Sequence, residues 1–166
     1  MTGRPTPEVP GPGQESVWDY PRPPRVERSS EEVVVTLGGA LVARTTSALR
    51  VLETSHPPTY YLPRPAFAPG SLRTAGGGSY CEWKGAATYL DVIGGDVVAS
   101  RAGWFYPVPT APYAAIVEHV ALYPGLMDEC TVDGEVVTAQ PGGFYGGWVT
   151  SRVVGPFKGG PGTEGW

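Results

Sequence analysis

The 166-residue chain has a formal charge of -4, with 12 basic and 16 acidic residues, and only two cysteines. This balance argues against electrostatic capture of nucleic acid or of an anionic membrane, so we expect neither as a partner. No segment approaches the roughly 18 apolar residues that a membrane span needs, and the first 24 residues lack the apolar run of a signal peptide.

The cysteines, Cys81 and Cys130, belong to no C-x-x-C pair, so neither a disulfide framework nor a zinc knuckle is encoded. Two free thiols suit a reducing compartment, and we predict a cytoplasmic location. The only mixed set of histidines and acids, His56 and His119 with their neighbours Glu53 and Glu118, comes from two unrelated segments. We therefore predict no metal site and no cofactor.

The composition favours a mainly β domain. Glycine and proline are abundant, at 24 and 19 residues, and they supply the turns between many short strands. Five Trp, nine Tyr and four Phe residues provide the large apolar area that a disordered chain lacks. Residues 1–14 contain nothing able to pack and are predicted to be a disordered tail, whereas residues 15–166 are predicted to be one domain.

Three hairpins follow along the chain. Trp18 and Tyr20 are expected to hold an extended, proline-stiffened segment against the domain before the first of them. Each hairpin has an apolar run, a tight glycine turn and a second Val- or Leu-rich run. The predicted turns are Gly38-Gly39, Gly94-Gly95 and Asp133-Gly134.

Helix is predicted at only two places. Residues 45–53, "TTSALRVLE", are expected to form about two helical turns that stop before Pro57 and Pro58. Residues 111–119, "APYAAIVEH", are expected to form a turn or two and to continue into the strand "HVALYP".

The stretch "LETSHPPTYYLP", residues 52–63, is the first candidate site. Two prolines restrict the backbone after His56, so Glu53, Ser55 and His56 would be presented with little conformational freedom. Glu53 and His56 could act as an acid-base pair while Tyr60 or Tyr61 donates a hydrogen bond to an oxyanion. The alternative is a surface loop in which Ser55 or Thr54 caps a turn and the tyrosines are half-buried.

The second candidate stretch is "SYCEWKGAATYLDV", residues 79–92. Lys84 is predicted to lie in a strand beside Trp83, where it could bind an anionic group or act as a base. The alternative is an exposed strand lysine whose stem covers Trp83. Cys81 would need an adjacent base to act as a nucleophile, and a buried, inert thiol is the alternative.

Residues 102–109, "AGWFYPVP", place Trp104 and Tyr106 where they could form a wall for a flat ligand, although aromatic strand residues also form cores. The segment "FKGGPGTEGW" is no phosphate loop, because its lysine precedes the glycines and no helix follows.

The segments "ESVWDYPRPPRVE", "LETSHPPTYYLP", "YCEWKG", "GWFYPVP", "VALYPG" and "GGFYGGWVT" followed by "GPFKGGPGT" together resemble the bacterial family catalogued as domain of unknown function 427 (DUF427). The resemblance extends over nearly the whole chain from about residue 15. It implies a mainly β fold similar to the β-tent, in which two antiparallel sheets meet at an angle. Methionine-R-sulfoxide reductase and the ligand-binding domain of cereblon share that architecture. Many β-tent proteins bind zinc through C-x-x-C knuckles, which this chain lacks.

The family is also labelled nucleotidyltransferase-like, and that chemistry needs carboxylates that hold Mg²⁺ ions about 4 Å apart. After Gly70-Ser71 and after Gly78-Ser79 the sequence has no D-x-D pair. The acids that remain for such a role are Asp91, Asp96, Asp133 and Glu135.

Three hypotheses follow. In the first, a pocket between the sheets binds a small polar or anionic molecule, with Ser55, Tyr61, Trp104 and Tyr106 as ligand-binding residues. Glu53, His56 and Lys84 are then the candidate catalytic residues for an acid-base step that binding does not require. The second is a magnesium-dependent nucleotidyltransferase, and the third is a non-catalytic module that binds an extended peptide on exposed aromatic residues. The oligomeric state is left open.

Overall fold

The computed structural model describes residues 4–166 and is built almost entirely of strands and turns. In chain order the strands are β1 Glu15–Ser16, β2 Arg25–Arg28, β3 Val33–Leu37, β4 Ala40–Thr45, β5 Leu49–Leu52, β6 Thr59–Pro63, β7 Leu72–Cys81, β8 Gly85–Gly94, β9 Val97–Phe105, β10 His119–Leu122, β11 Glu129–Val132, β12 Glu135–Val136, β13 Thr138–Ala139, β14 Trp148–Val149 and β15 Val153–Val154. Short 3-10 helices cover Val17–Asp19, Arg64–Ala66, Ala111–Ile116 and Pro124–Leu126. Among these described residues, none of the helices has the length and apolar character that a bilayer crossing requires.

Two antiparallel sheets make up most of the domain. The larger has seven strands in the order β2-β5-β6-β10-β9-β8-β7, and the smaller has four in the order β12-β11-β3-β4. β13 and β14 form an antiparallel pair, and β1 and β15 form a parallel pair. The predicted fold class, mainly β with antiparallel sheets, is confirmed, and none of the sheets closes into a barrel.

The core lies between the two large sheets. Val33, Val35 and Leu37 of β3 alternate inward, and Tyr60 and Leu62 of β6 face the same cluster. The opposite face of β6 carries Tyr61, which packs in a second cluster with residues of β5, β10 and the Ala111–Ile116 helix. The larger sheet is therefore covered on both faces, as expected where strands are buried on both sides.

All three predicted hairpins are confirmed. They are β3-β4, β8-β9 and β11-β12, although the second turn is Gly95-Asp96, one residue later than predicted. The structure adds a fourth and longer hairpin, β7-β8, whose turn contains Trp83 and Lys84. The prediction that Lys84 lies within a strand is therefore wrong. The glycine signal of this turn is Gly85, which has a φ of 108° and pairs with Cys81 directly after the aromatic and charged turn residues.

The predicted helix at residues 45–53 is also wrong. β4 ends at Thr45, and β5 pairs with β2 and β6 through Leu49–Leu52, in which every residue is buried. A strand covered on both faces has no alternation, so a short apolar run cannot be told from a helix by its period. The second prediction holds, because a 3-10 helix at Ala111–Ile116 precedes β10 at His119–Leu122.

Residues 4–14 contain no strand or helix but do contact the domain. The Arg4 guanidinium lies 5.0 Å from the Trp18 ring, the Glu8 N–H donates to the carbonyl of Gly155 at 2.9 Å, and Gln14 donates to the carbonyl of Ser151 at 2.9 Å. Residues 1–3 of the predicted tail lie outside the described residues, and its disorder stays a prediction.

A buried ion-pair network joins the two ends of the chain to the larger sheet. The fully buried Arg50 donates to Glu27 at 2.7 Å and to Glu15 at 2.8 Å, and Arg152 donates to the other oxygen of Glu15 at 2.9 Å. Tyr20 also donates to Glu15, at 2.7 Å. Burial alone would raise the pKa of Glu15, but these donors and positive charges outweigh it and lower the pKa to about 2.

Candidate functional site

A cavity of about 530 Å³ lies against the larger sheet. Strands β5 to β9 line it together with the β7-β8 turn and residues 140–146, while no residue of the four-stranded sheet takes part among the described residues. The hypothesis placed the pocket between the two sheets, but in the structure that space is occupied by the apolar core. The cavity instead faces the side of the larger sheet that is turned away from the smaller one.

Aromatic side chains dominate the cavity. Nine of the chain's 18 aromatic residues line it. Trp83, Trp104 and Tyr106 come from the two stretches that the sequence singled out. Tyr61 of β6 and Trp104 of β9 both flank Ala121 of β10, and the Trp104 indole N–H donates to the Tyr61 hydroxyl at 3.4 Å.

Six of the seven predicted site residues line this one cavity: Glu53, His56, Tyr61, Lys84, Trp104 and Tyr106. They come from four separate parts of the chain, which the strand order β6-β10-β9-β8 brings side by side. Ser55 is the exception, since it lies outside the lining.

Glu53 and His56 form the acidic end of the cavity. The turn after β5 places the Glu53 carboxylate 4.0 Å from Nδ1 of His56 and 3.4 Å from Nε of Arg22. Nδ1 also lies 3.0 Å from the carbonyl oxygen of Thr54. Because a carbonyl only accepts, the imidazole proton belongs on Nδ1, and Nε2 is left as the nitrogen that can accept a proton.

Burial lowers the pKa of His56 more than the nearby Glu53 carboxylate and the Thr54 carbonyl raise it. The ring is only 9% exposed and packs edge-to-face on Tyr145, with the ring centres 4.8 Å apart. At neutral pH the imidazole is therefore uncharged, which is the form a general base needs.

Lys84 supplies the positive charge on the other side of the cavity. Its position in the β7-β8 turn is fixed by the Thr110 N–H, which donates to the Lys84 carbonyl at 3.0 Å. The ammonium group lies 5.7 Å from the centre of the Tyr106 ring. At that distance the cation interacts with the aromatic face, and its neighbour Glu82 lines the same cavity.

The phenols of Tyr61 and Tyr106 remain protonated at any physiological pH. Burial raises the pKa of both far above the ordinary value, since only 1% of Tyr61 and 5% of Tyr106 is exposed. A protonated phenol can donate a hydrogen bond to a ligand oxygen, the role that the sequence hypothesis gave to Tyr60 or Tyr61. Tyr60 is excluded from that role, because it faces the core between the sheets and donates to Glu31 at 2.9 Å.

The sequence hypothesis missed the far wall of the cavity. Tyr89, Tyr123, Gln140 and Tyr145 complete the lining. The Tyr123 hydroxyl donates to the carbonyl of Phe144 at 3.0 Å and so fixes the glycine-rich segment 141–147.

The glycines of that segment were the sequence feature that could have indicated this wall of the cavity. A Cβ at Gly146 would overlap the Trp104 ring, so the backbone approaches the indole as closely as only glycine permits. The pattern "GGFYGG" therefore marks a place where a loop crosses an aromatic surface.

Ser55 is buried behind the cavity rather than in it. Its side chain is fully buried, its hydroxyl has no hydrogen-bond partner among the described residues, and its φ is 73°. Its N–H donates to the Val17 carbonyl at 3.0 Å, and its carbonyl accepts from the Lys158 N–H at 2.9 Å. The backbone of Ser55 thus joins three segments, while its hydroxyl reaches no ligand space.

We expect Ser55→Gly to raise the free energy of unfolding by about 1 kcal/mol, because it removes both a left-handed strain and an unpaired buried hydroxyl. Ser71→Gly is the matched control, since that hydroxyl is also buried without a partner but its φ is not positive. The control should be neutral or destabilising, as judged by urea denaturation. A loss of stability in Ser55→Gly would show that the hydroxyl makes a bond that matters.

The acids of the magnesium hypothesis are dispersed. Asp91 and Asp96 belong to the β8-β9 hairpin of the larger sheet, whereas Asp133 and Glu135 belong to the β11-β12 hairpin of the smaller one. Asp91 pairs with Arg73 at 2.8 Å, and Glu135 accepts from the Ser151 N–H at 2.6 Å. Within residues 4–166 no three His, Cys, Asp or Glu side chains lie close enough to hold a metal ion.

The fold and the site together define a mainly β domain with a single-sheet, aromatic-lined recess. The chain belongs to the family described as domain of unknown function 427 (DUF427), whose sequence model matches residues 25–133. Gln140 and Tyr145 of the cavity lie beyond the matched residues. No curated protein matches the chain at a significant level.

Proposed function

We propose that the protein binds a small polar or anionic organic molecule in the aromatic cavity, with a flat portion against the aromatic rings and a polar group near Lys84. The observation that carries this proposal is the convergence of half of the chain's aromatic residues on one recess that also holds Glu53, His56 and Lys84. A volume of about 530 Å³ falls within the range of ligand sites, and a mostly aromatic lining with a few placed polar groups is typical of them.

The lining favours a planar ligand. Trp104 and Tyr106 both line the cavity, and the Lys84 ammonium group lies 5.7 Å from the Tyr106 ring centre. Each contact between a ligand ring and a protein ring contributes about 0.5–1.5 kcal/mol beyond the buried area. The ammonium group of Lys84 then donates hydrogen bonds to a polar group of the ligand. The cavity offers little to a ligand without a flat apolar part.

The same arrangement supplies the groups for an acid-base step. Neutral His56 can accept a proton at Nε2, Glu53 lies beside it to stabilise the imidazolium that results, and a tyrosine phenol can donate to a developing oxyanion. Binding does not depend on this step, and we propose it as a second property of the site.

A thermal-shift screen of metabolites and nucleotides, with and without Mg²⁺, tests the proposal. A ligand at 100 times its Kd stabilises the fold by about 2.7 kcal/mol. We expect at least one flat anionic compound to raise Tm in wild type, and Lys84→Ala to lose most of that shift.

Lys158→Ala is the matched control. Lys158 also places its ammonium group 5.7 Å from a tyrosine ring, Tyr145, but it does not line the cavity. Its variant should keep the wild-type shift. A compound that stabilises Lys84→Ala as well as wild type would remove Lys84 from the site, and stabilisation by peptides alone would contradict the proposal. A shift that requires Mg²⁺ would favour the nucleotidyltransferase reading instead.

We further propose that this binding takes place in a bacterial cytoplasm. Both cysteines are free thiols in the structure, which suits a reducing compartment.

A further inference from the structure

A second cavity of about 360 Å³ adjoins the first. The two share four lining residues and therefore lie next to each other, within reach of one extended ligand. The shared residues are Tyr89, Tyr123, Gln140 and Tyr145. Pro124, Leu126 and Ala139 give the second cavity an apolar wall.

Arg101 is the one charged residue that lines this second cavity among the described residues. Its guanidinium lies 4.5 Å from the centre of the Tyr89 ring. On another side it packs against Gly77 of β7, where a Cβ would come within 3.1 Å of Nη2. Contact on two sides holds the guanidinium in place before any ligand arrives, which lowers the entropy cost of binding.

The guanidinium of Arg101 is not paired with a carboxylate within the described residues. Seven of the ten arginines form salt bridges, but among residues 4–166 Arg101 forms none. The carboxylate of Asp91 lies on the adjacent strand of the β8-β9 hairpin. It accepts from the backbone N–H of Arg101 at 2.9 Å and from the Arg73 guanidinium at 2.8 Å. The Arg101 side chain therefore keeps all its donors for another partner.

The backbone of Arg101 has a left-handed conformation, which supports a binding role for its side chain. Its φ is 52°, and it lies where the register between β8 and β9 shifts. A bulge of this kind redirects a side chain out of the strand alternation. A left-handed arginine costs about 1 kcal/mol that a glycine would not, and such strain is found at functional sites.

We propose that Arg101 and the second cavity form an anion subsite, which binds the carboxylate or phosphate of the ligand whose flat part occupies the aromatic cavity. This inference rests on the proposed function. The first cavity is lined by two carboxylates, Glu53 and Glu82, as well as by its lysine, whereas the second has a guanidinium and no acid among the described residues. An oxyanion is therefore better placed at Arg101, where two parallel N–H bonds can reach it.

Matched pairs of probes test the subsite by calorimetry: indole-3-acetate against indole-3-acetamide, and phenyl phosphate against phenol. Inorganic phosphate alone is the fifth probe. Each pair shares a ring and differs in the charged group, and the two pairs distinguish a carboxylate from a phosphate. Wild type should bind the charged member of at least one pair about tenfold more tightly, the usual gain from a charge-assisted pair of hydrogen bonds.

Arg101→Gln should abolish this preference and leave binding of the neutral member unchanged. Arg28→Gln is the control, since Arg28 is an exposed strand arginine without a salt bridge that lines neither cavity. Its variant should behave as wild type.

Two outcomes separate this inference from the proposed function. If Arg101→Gln keeps the preference while Lys84→Ala loses it, the anion binds in the first cavity and the subsite is overturned, but the proposed function stands. If neither member of either pair binds wild type, and inorganic phosphate does not bind either, both are overturned for this class of ligand.

Discussion

Arg50→Met is expected to lower the free energy of unfolding by about 3 kcal/mol or more. Its guanidinium is fully buried, and its two Nη atoms donate separately to Glu15 and Glu27. Without it, two partly buried carboxylates keep only Arg152 as a cation, at 2.9 Å from Glu15 and 3.9 Å from Glu27. Removing one partner of a buried network typically costs about 3–5 kcal/mol, because the remaining charges lose their compensation. Urea denaturation of the folded protein measures the change.

The matched control is Arg44→Met. Arg44 of β4 also forms an ion pair with a glutamate, Glu32, at 3.3 Å, but 62% of the Arg44 side chain is exposed. A surface pair contributes about 0.2–1 kcal/mol, so this variant should remain close to wild type. Equal stability of the two variants would mean that the buried network contributes no more than a surface pair.

Arg50→Lys separates charge from geometry. Lysine keeps the positive charge but cannot bond to Glu15 and Glu27 through a planar fork. We expect the free energy of unfolding of Arg50→Lys to lie between those of wild type and Arg50→Met. A lysine variant as stable as wild type would show that charge alone holds the network together.

Gly38→Ala is expected to cost about 3 kcal/mol. Gly38 is in the β3-β4 turn with a φ of 60°, and a Cβ there would overlap the carbonyl oxygen of Gly94 in the other sheet. The same contact is close from both sides, because a Cβ at Gly94 would overlap the carbonyl of Leu37. Alanine therefore adds backbone strain of about 1–2 kcal/mol to an overpacking cost of similar size.

Gly39→Ala isolates the strain. Gly39 is in the same turn with a φ of 75°, but a Cβ there would meet nothing within 4 Å. This variant should cost only about 1–2 kcal/mol in the same denaturation experiment. If the two alanine variants lose equal stability, the contact between the two turns is not tight.

The parts of the fold that could be predicted from the sequence depend on residues that are close together along the chain. The hairpin at Gly38-Gly39 follows from turn chemistry within a few residues, and that signal survives folding unchanged. β5 was mistaken for a helix because its burial comes from β2 and β6, which are distant in sequence. Even Arg50 within β5 is fully buried, because its charge is balanced by Glu15 and Glu27, which come from distant segments.

The residues of the candidate site also differ in whether the sequence alone could identify them. Glu53, His56 and Lys84 could be singled out because each lies in a short stretch with an unusual composition. Tyr123 carries no such local mark, and only the pairing of β9 with β10 brings it to the cavity. The location of the cavity on one face of the larger sheet depended on strand order, which no single segment encodes.

The parallel pairing of β1 with β15 has a consequence for synthesis of the chain. Glu15 pairs with Val153 and also holds Arg50 and Arg152, so the first strand finds its partner only when almost all of the chain has left the ribosome. Until then Arg50 lacks one of its two carboxylates. A nascent chain halted near residue 133 would hold the Arg50 guanidinium of β5 against Glu27 alone, before β15 can fix Glu15 beside it.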